Sequence, residues 1–338
     1  MKEKTSDKSF ANEKLMKRIL DILTERSEKP LELARKELLA MNIESQKGRR
    51  TLEYYAINLN DVTHPGILSL ASEAVGGKPD ETMLMQVVVL LLTAAMDIHD
   101  DIIDQTKMKN GKPTVFGKFG KDTALLIGDA ILMRGLILLC KYGENLPLKT
   151  MRLVSETIQN TFFEVGNAHL LETELKRKID IIPAEYMRII EKKASNIEAL
   201  TRIGAIIGKG SRKEIEALGK YGKILGILIT LREEFVDVFE PEELRNRIKN
   251  GCLPIPILYA FQDPQIKEKI LNAISKRRIS RKTTEEIVDM IFESKDVEEL
   301  REIMKRLSNE ASRTLLQAPK IRVRNLLDLL IRSTLEDL

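Results

Sequence analysis

The chain has 338 residues, 43% hydrophobic and 31% charged, with 55 Lys and Arg against 51 Asp and Glu. That is enough apolar material for a sizeable core, and a net charge of only +4 gives no electrostatic footprint for nucleic acid. Its two cysteines, Cys140 and Cys252, make neither a disulfide framework nor a zinc spacing.

In chain order, the charged start MKEKTSDKSF lacks the apolar core of a signal peptide, which points to the cytoplasm, with residues 1–12 a flexible extension. Helical periodicity then dominates, with no convincing period-two strand. Leu15–Thr24 and Pro30–Met41 read as two amphipathic helices, and Lys47–Asn60 as another. His64-Pro65 opens a helix stopped by Gly76-Gly77. Asp80 caps a long helix whose apolar run, Met83 to Met96, is shorter than the ~20 residues that span a bilayer, so a core helix and no transmembrane segment are expected. Asn110-Gly111-Lys112-Pro113 is a loop. Further helices are predicted over Lys121–Tyr142, Leu148–Lys176, Pro183–Gly208, Arg212–Phe239, Pro256–Phe261, Pro264–Lys276, Thr283–Ser294, Val297–Leu316 and Arg322–Leu338. No Ser/Gly-rich linker divides them, so a single all-α domain over residues 1–338 is expected.

The long apolar helix ends in Asp97, Asp100, Asp101 and Asp104, at i, i+3, i+4 and i+7, one acidic stripe on a helix of ~3.6 residues per turn. Like charges at these spacings destabilise an isolated helix by roughly 0.2–0.5 kcal/mol per pair. A run of acids is most often a solvated face, yet this one follows a helix that is apolar nearly all round and so buried. Magnesium fits such a stripe, because it takes oxygen ligands from one or two carboxylates and completes its shell with water and phosphate. A second helix carries Gly219, Gly222 and Gly226 along one face, suited to close approach of a backbone or ligand, and ends in Glu233, Glu234 and Asp237. Two acid-tipped helices facing each other would clamp a diphosphate through divalent metal.

With these strings in place the chain resembles the trans-isoprenyl diphosphate synthases, the polyprenyl synthetase family. Asp100-Asp101-Ile102-Ile103-Asp104 matches the family's first DDxxD motif, and Gly111-Lys112-Pro113-Thr114-Val115, Phe119-Gly120 and Gly128-Asp129-Ala130 match the strings that follow. Ser72-Glu73-Ala74-Val75-Gly76-Gly77 fits the segment upstream. The resemblance implies a single-domain bundle of about a dozen helices around a central cavity, the isoprenoid synthase fold. It implies a prenyltransferase of isoprenoid biosynthesis that uses Mg2+ to ionise an allylic prenyl diphosphate. A homodimer, or a heteromer with a related synthase subunit, is implied as well.

Carried over by residue, the resemblance makes Asp100, Asp101 and Asp104 metal ligands, joined by Glu233 and Asp237 of a second motif that normally reads DDxxD. Lys193 matches the lysine that grips the allylic diphosphate, and Lys109 replaces an arginine of the family's RRG string, whose second arginine is Asn110. Thr93 and Met96, two turns and one turn before Asp100, would meet the hydrocarbon tail.

The departures from the family concentrate where isopentenyl diphosphate is held. The GGKRxRP string becomes Leu59-Asn60-Asp61-Val62-Thr63-His64-Pro65, so a lysine and both arginines give way to Asp61, Val62 and His64. A histidine expected six positions before His99 is Thr93, the Phe-Gln before the second motif is Ile229-Thr230, and a Gln and an Asp on the mid-chain helix are Asn167 and Leu170. The lysine and threonine after the second motif are lost at Cys252-Leu253-Pro254. A basic run at Lys47, Arg49 and Arg50 reads first as a solvated face, and His64, His99 and His169 as structural. Two alternatives to ordinary chain elongation stay open. One is a non-catalytic or regulatory subunit of a heteromeric synthase. The other is a lyase or cyclase that acts on the allylic diphosphate alone, or a transferase that passes it to an acceptor lacking a diphosphate.

Overall fold

The computed structural model describes residues 2–109, 111–275 and 280–336, with side chains from Leu15 onward. Asn110, the end of the helix predicted to reach Lys276, the last two residues and the side chains of the predicted 1–12 extension lie outside the described residues. The helices are α1 (Lys2–Leu39), α2 (Gln46–Asn58), α3 (Thr63–Val75), α4 (Met83–Ile103), α5 (Val115–Phe119), α6 (Lys121–Gly143), α7 (Leu148–Leu175) and α8 (Pro183–Lys193). They continue as α9 (Ser195–Ile207), α10 (Arg212–Phe239), α11 (Pro241–Asn250), α12 (Ile255–Ala260), α13 (Pro264–Ile274), α14 (Arg281–Glu293), α15 (Lys295–Thr314) and α16 (Ile321–Ser333). A two-residue ribbon, β1 (Met108–Lys109) with β2 (Lys112–Pro113), pairs antiparallel with Met108 opposite Pro113. The chain is therefore all-α apart from this hairpin, which occupies the segment expected to be a loop.

Two compact units emerge from the chain. The first comprises Met1–Thr157, Leu200–Glu216 and Ala318–Leu326, and the second Ile158–Ala199, Ala217–Gln317 and Leu327–Leu338. In the first unit α4 packs along α6 and against α1, and its apolar side chains Leu90, Leu91, Ala94, Ala95 and Ile98 are almost wholly buried. In the second unit α12 packs against α8, α14 and α15 with every residue but Tyr259 buried, and Tyr221 of α10 donates a buried hydrogen bond to the Leu327 carbonyl.

Four local expectations are corrected. Pro30 lies inside α1 where a new helix was predicted to start. An internal proline costs about 3 kcal/mol, and α1 is held on both sides of it: Arg26 forks onto Glu73 and Ser27 Oγ donates to the Val62 carbonyl upstream, while Leu31, Ala34 and Leu38 are buried downstream. Asp80 falls in a 3-10 turn, Pro79–Thr82, that leads into α4, so Thr82 and not Asp80 occupies the position before that helix. The predicted helix Pro183–Gly208 breaks at Ala194 into α8 and α9. There the α10 backbone comes so close that a Cβ on Gly226 would lie 2.8 Å from the Ala194 carbonyl oxygen, which gives this glycine the close-approach role anticipated for it. Finally, α5 and α11 were not anticipated. The α11 segment carries a helix signature, with Pro241 at its first turn, Glu242 and Glu243 beside it, and Arg247 and Lys249 in the last turn.

Candidate active site

The first acidic motif occupies the C-terminal turn of α4, the negative end of the helix dipole, where carboxylates are disfavoured twice over, by the dipole and by each other. Asp104 is the residue at the helix end, and the chain leaves through Gln105 at φ 57. Thr106 N–H donates to the Asp101 carbonyl at 2.9 Å and Gln105 N–H to Ile102, the bonding of a left-handed helix stop. Asp101 is only 7% exposed. Burial, then the charge of Asp97, pushes its carboxyl up to about 7, with Asp100 and Asp104 adding and Lys109 opposing. Lys109 reaches back from β1 to Asp97 at 2.5 Å, so the lysine assigned to the diphosphate neutralises the start of the acidic stripe. Thr93 is partly buried and spends its hydroxyl on the Val89 carbonyl at 2.9 Å, and Met96 is half-buried. His99 lies outside the stripe with Nε2 3.2 Å from the Asp129 carboxylate.

Among the described residues, no group of three or more His, Cys, Asp or Glu side chains could hold a metal ion by itself. Magnesium seldom asks for such a cage, since one or two carboxylates suffice when water and phosphate oxygens complete the octahedron. The first motif fits that demand: its donors are all oxygen, and one of them is a buried carboxylate whose negative charge is opposed by burial and by its acidic neighbours.

The second motif also sits on a C-terminal turn, that of α10, but its surroundings differ. Glu234 is 4% exposed and receives hydrogen bonds from Arg247 Nη2 at 2.7 and 2.8 Å and from Ile255 N–H at 2.9 Å, with Tyr186 Oη 3.3 Å away. Arg247 Nη1 lies 3.3 Å from Asp237, and its Nε donates to the Cys252 carbonyl. Burial works against the guanidinium charge, but Glu234, Tyr186 and Asp237 together hold its pKa above the ordinary range. Burial raises Asp237 to about 7, against the pull of Arg247, with Glu234, Glu243 and Glu233 adding.

Lys193, at the end of α8, pairs with Glu172 of α7 at 2.6 Å. Burial opposes the charge on Glu172, yet Lys193 and Arg247 bring its carboxyl down to about 2, with a hydrogen bond from Tyr186 Oη at 2.8 Å contributing. Sequence reasoning missed Glu172, Tyr186 and Arg247. Only the helix signature around Arg247 could have drawn attention to that residue, and nothing in the sequence pairs it with Glu234.

The segment from Leu59 to Pro65 has a structural use. Asp61 Oδ1 accepts from the N–H groups of Thr63 and His64 at 3.0 and 3.2 Å, capping α3, while its Oδ2 lies 2.7 Å from His64 Nδ1. These contacts outweigh burial and bring the Asp61 carboxyl below its usual range. The Tyr55 phenol is pushed up by burial and by Asp97, Asp61 and Asp101, so Asp61 and the first motif act on one buried group. Lys47, Arg49 and Arg50 are exposed on α2, and Arg49 Nη1 donates to the Ile43 carbonyl.

Comparison with known proteins agrees with the motif order. The chain is 27% identical over 260 residues to a short chain isoprenyl diphosphate synthase of Methanothermobacter thermautotrophicus, covering 75% of this chain and 78% of that protein. It is 30% identical over 190 residues to a geranylgeranyl diphosphate synthase of Methanosarcina mazei, covering 56% and 58% of the two chains. The crystal structure of a geranylgeranyl pyrophosphate synthetase from Pyrococcus horikoshii superposes with a TM-score of 0.83 at 22% identity, over 95% of this chain and 99% of that one, which establishes the isoprenoid synthase fold. The polyprenyl synthetase profile matches residues 48–291, both acidic motifs included, and the chain belongs to that family.

Proposed function

We propose that this protein is a prenyltransferase of isoprenoid biosynthesis that binds an allylic prenyl diphosphate through Mg2+ and ionises it, its two units working as one isoprenoid synthase domain. The observation that carries the reading is the buried Asp101 carboxylate within an all-oxygen stripe at a helix C-terminus, an arrangement that a bound dication relieves. Asp100, Asp101 and Asp104 are the ligands to which the ion is assigned; of Glu233 and Asp237, which the resemblance adds, Asp237 already pairs with Arg247. Bound there, magnesium would supply Lewis-acid stabilisation of the charge that builds on the departing diphosphate, a gain made in the transition state and not in the ground state. Lys193, held in place by Glu172, is assigned to the diphosphate, and Thr93 and Met96 to the hydrocarbon tail.

Elongation with isopentenyl diphosphate is expected to be weak or to depend on a partner subunit, because Asp61 opposes a phosphate where the family carries a lysine. The same acid favours a second reading, an acceptor without a diphosphate. Self-association is supported by α6, which exposes Leu125, Leu126, Met133, Leu136 and Ile137 on one face. By length and composition alone, Pro79–Ile103 and Lys121–Gly143 could cross a membrane. Asp122 and Asp129, both exposed on that same α6 face, favour a second protein copy over lipid as its cover, and a cytoplasmic protein.

The test is incubation of the purified protein and Mg2+ with dimethylallyl, geranyl, farnesyl or geranylgeranyl diphosphate, each with and without isopentenyl diphosphate. Elongated diphosphates support ordinary family activity. Pyrophosphate release without isopentenyl diphosphate supports the alternative acceptor. No turnover under any condition, alone or with a related subunit, would sink both readings.

A further inference from the structure

The second acidic motif already contains its cation. We propose that Arg247, reaching across from α11, takes the place of a divalent ion at Glu234 and Asp237, so that this chain draws its metal through the first motif alone.

The argument rests on hydrogen-bond capacity. A carboxylate offers about four lone-pair positions, and on Glu234 three are taken, two by Arg247 Nη2 and one by the Ile255 N–H, while Tyr186 Oη, whose proton goes to Glu172, crowds the fourth at 3.3 Å. A metal ion could reach Glu234 only by breaking a buried, charge-assisted contact in which Arg247 Nη2 meets both carboxylate oxygens. Asp237 shares the same guanidinium through Nη1 at 3.3 Å, so an ion arriving there would meet a fixed positive charge. The guanidinium is itself anchored by the Cys252 carbonyl and Tyr186 Oη, at 2.9 Å each, and cannot swing aside without leaving both.

Charge balance agrees with the contact count. Glu172, Glu234 and Asp237 contribute three negative charges to the cluster, and Arg247 and Lys193 two positive ones. Arg247 thus already sets a full positive charge between Glu234 and Asp237. At the first motif the charges of Asp97, Asp100 and Asp104 raise the Asp101 carboxyl and Lys109 opposes them. This inference rests on the proposed metal-dependent function in one respect, that the first motif binds the ion.

The test is Mn2+ uptake followed by the loss of the free-ion electron paramagnetic resonance signal, with a non-ionising thiolo analogue of an allylic diphosphate present. The intact chain, Asp237→Asn, Asp101→Asn, Arg247→Met and the double variant R247M/D237N are compared. The expected result is that Asp237→Asn leaves both the number of bound ions and their affinity within about twofold of the intact chain, while Asp101→Asn lowers the number. Arg247→Met gains an ion that R247M/D237N does not, and its melting temperature responds to Mn2+ more than that of the intact chain. A loss of an ion on Asp237→Asn in the otherwise intact chain overturns the inference, even if Arg247→Met fails to fold. Failure of the intact chain to take up any ion overturns the proposed function and leaves the Arg247 assignment to be decided by the gain, or its absence, in Arg247→Met.

Discussion

The ends of α4 and α10 carry the same pattern, two adjacent acids and a third three residues on, yet they are built for opposite purposes. At the end of α4 the buried acid is Asp101, and the nearby lysine is committed to Asp97. At the end of α10 the buried acid is Glu234, saturated by an arginine from the next helix. A motif thus gives the donors, and the residues packed over it decide whether those donors are available. The sharpest way to break this contrast is to remove one buried acid from each end. Glu234→Ala strands a buried guanidinium, and losing one partner of a buried pair costs about 3–5 kcal/mol. Asp101→Asn should act in the other direction in metal-free protein. Its folded pKa of about 7 lies above the ordinary 3.8, so the stability it contributes is present below about pH 4 and lost as pH rises through 7. At pH 8 in EDTA the amide is therefore expected to stabilise by on the order of 1–2 kcal/mol while lowering prenyl transfer by about 100-fold or more. Urea unfolding of both variants beside a product assay reads all three numbers. A destabilised Asp101→Asn would show that the first end is internally neutralised as well.

Glu172 tests whether the second cluster is balanced by its own charges. Its pKa falls from 4.5 to about 2, so its stabilisation is fully present above pH 4.5 and is lost as pH falls through 2. The difference corresponds to ~3 kcal/mol. Glu172→Gln should lose about that much at pH 7 and show a flatter stability profile between pH 4.5 and 2, measured by denaturant titration across that range. An acid limb identical to that of the intact chain would remove Glu172 from the balance.

How much of this was legible in the sequence varies with the range of the interactions. The α10 boundaries, Arg212–Phe239, match the predicted helix to the residue, and α4 needed only its apolar run and its acids. Those are local signals. The continuity of α1 through Pro30 depends on Arg26 meeting Glu73, 47 positions away, and no local rule contains that pairing. The split at Ala194 depends on Gly226 approaching from another helix. The same limit governed the site: the acids of both motifs were readable as a spacing, whereas Glu172 and Arg247, 75 residues apart in sequence, join only through folding. Asp61 was read as a lost lysine and its gain was missed, although an Asp two residues before a helix-opening Thr63 is itself a capping signal.

That cap gives the next smaller effect. Asp61→Ala removes both backbone contacts and the His64 partner, for an expected loss of about 1–2 kcal/mol. Asp61→Asn keeps the backbone acceptor and should lose less. Asp61→Lys, which puts in the charge that the resemblance implies at this position, is expected to cost stability as much as alanine does, and any gain in isopentenyl diphosphate use would have to be measured against that loss. If Asp61→Ala unfolds no more easily than the intact chain, the acid has been kept for something other than α3.

The smallest effect lies at the stop of α4, and it separates the shape of the first acidic end from its charge. Gln105 holds φ 57, a left-handed conformation that costs a residue with a side chain roughly 1–2 kcal/mol and glycine little. Its Nε2 recovers part of that by donating to the Ile102 carbonyl at 2.7 Å, a bond of about 0.5–1.5 kcal/mol net. Gln105→Gly should therefore stabilise by only about 0.5 kcal/mol, since relief of strain exceeds the lost bond by a small margin. The helix stop itself is made by the main chain, through Thr106 N–H to Asp101 and Gln105 N–H to Ile102, and survives the change. Metal uptake at Asp100, Asp101 and Asp104 is accordingly expected to stay as it is. A drop in Mn2+ affinity on Gln105→Gly, with stability unchanged or improved, would mean that the side chain after Asp104 holds that carboxylate in place, and that the first acidic end depends on a strained neighbour as the second depends on Arg247.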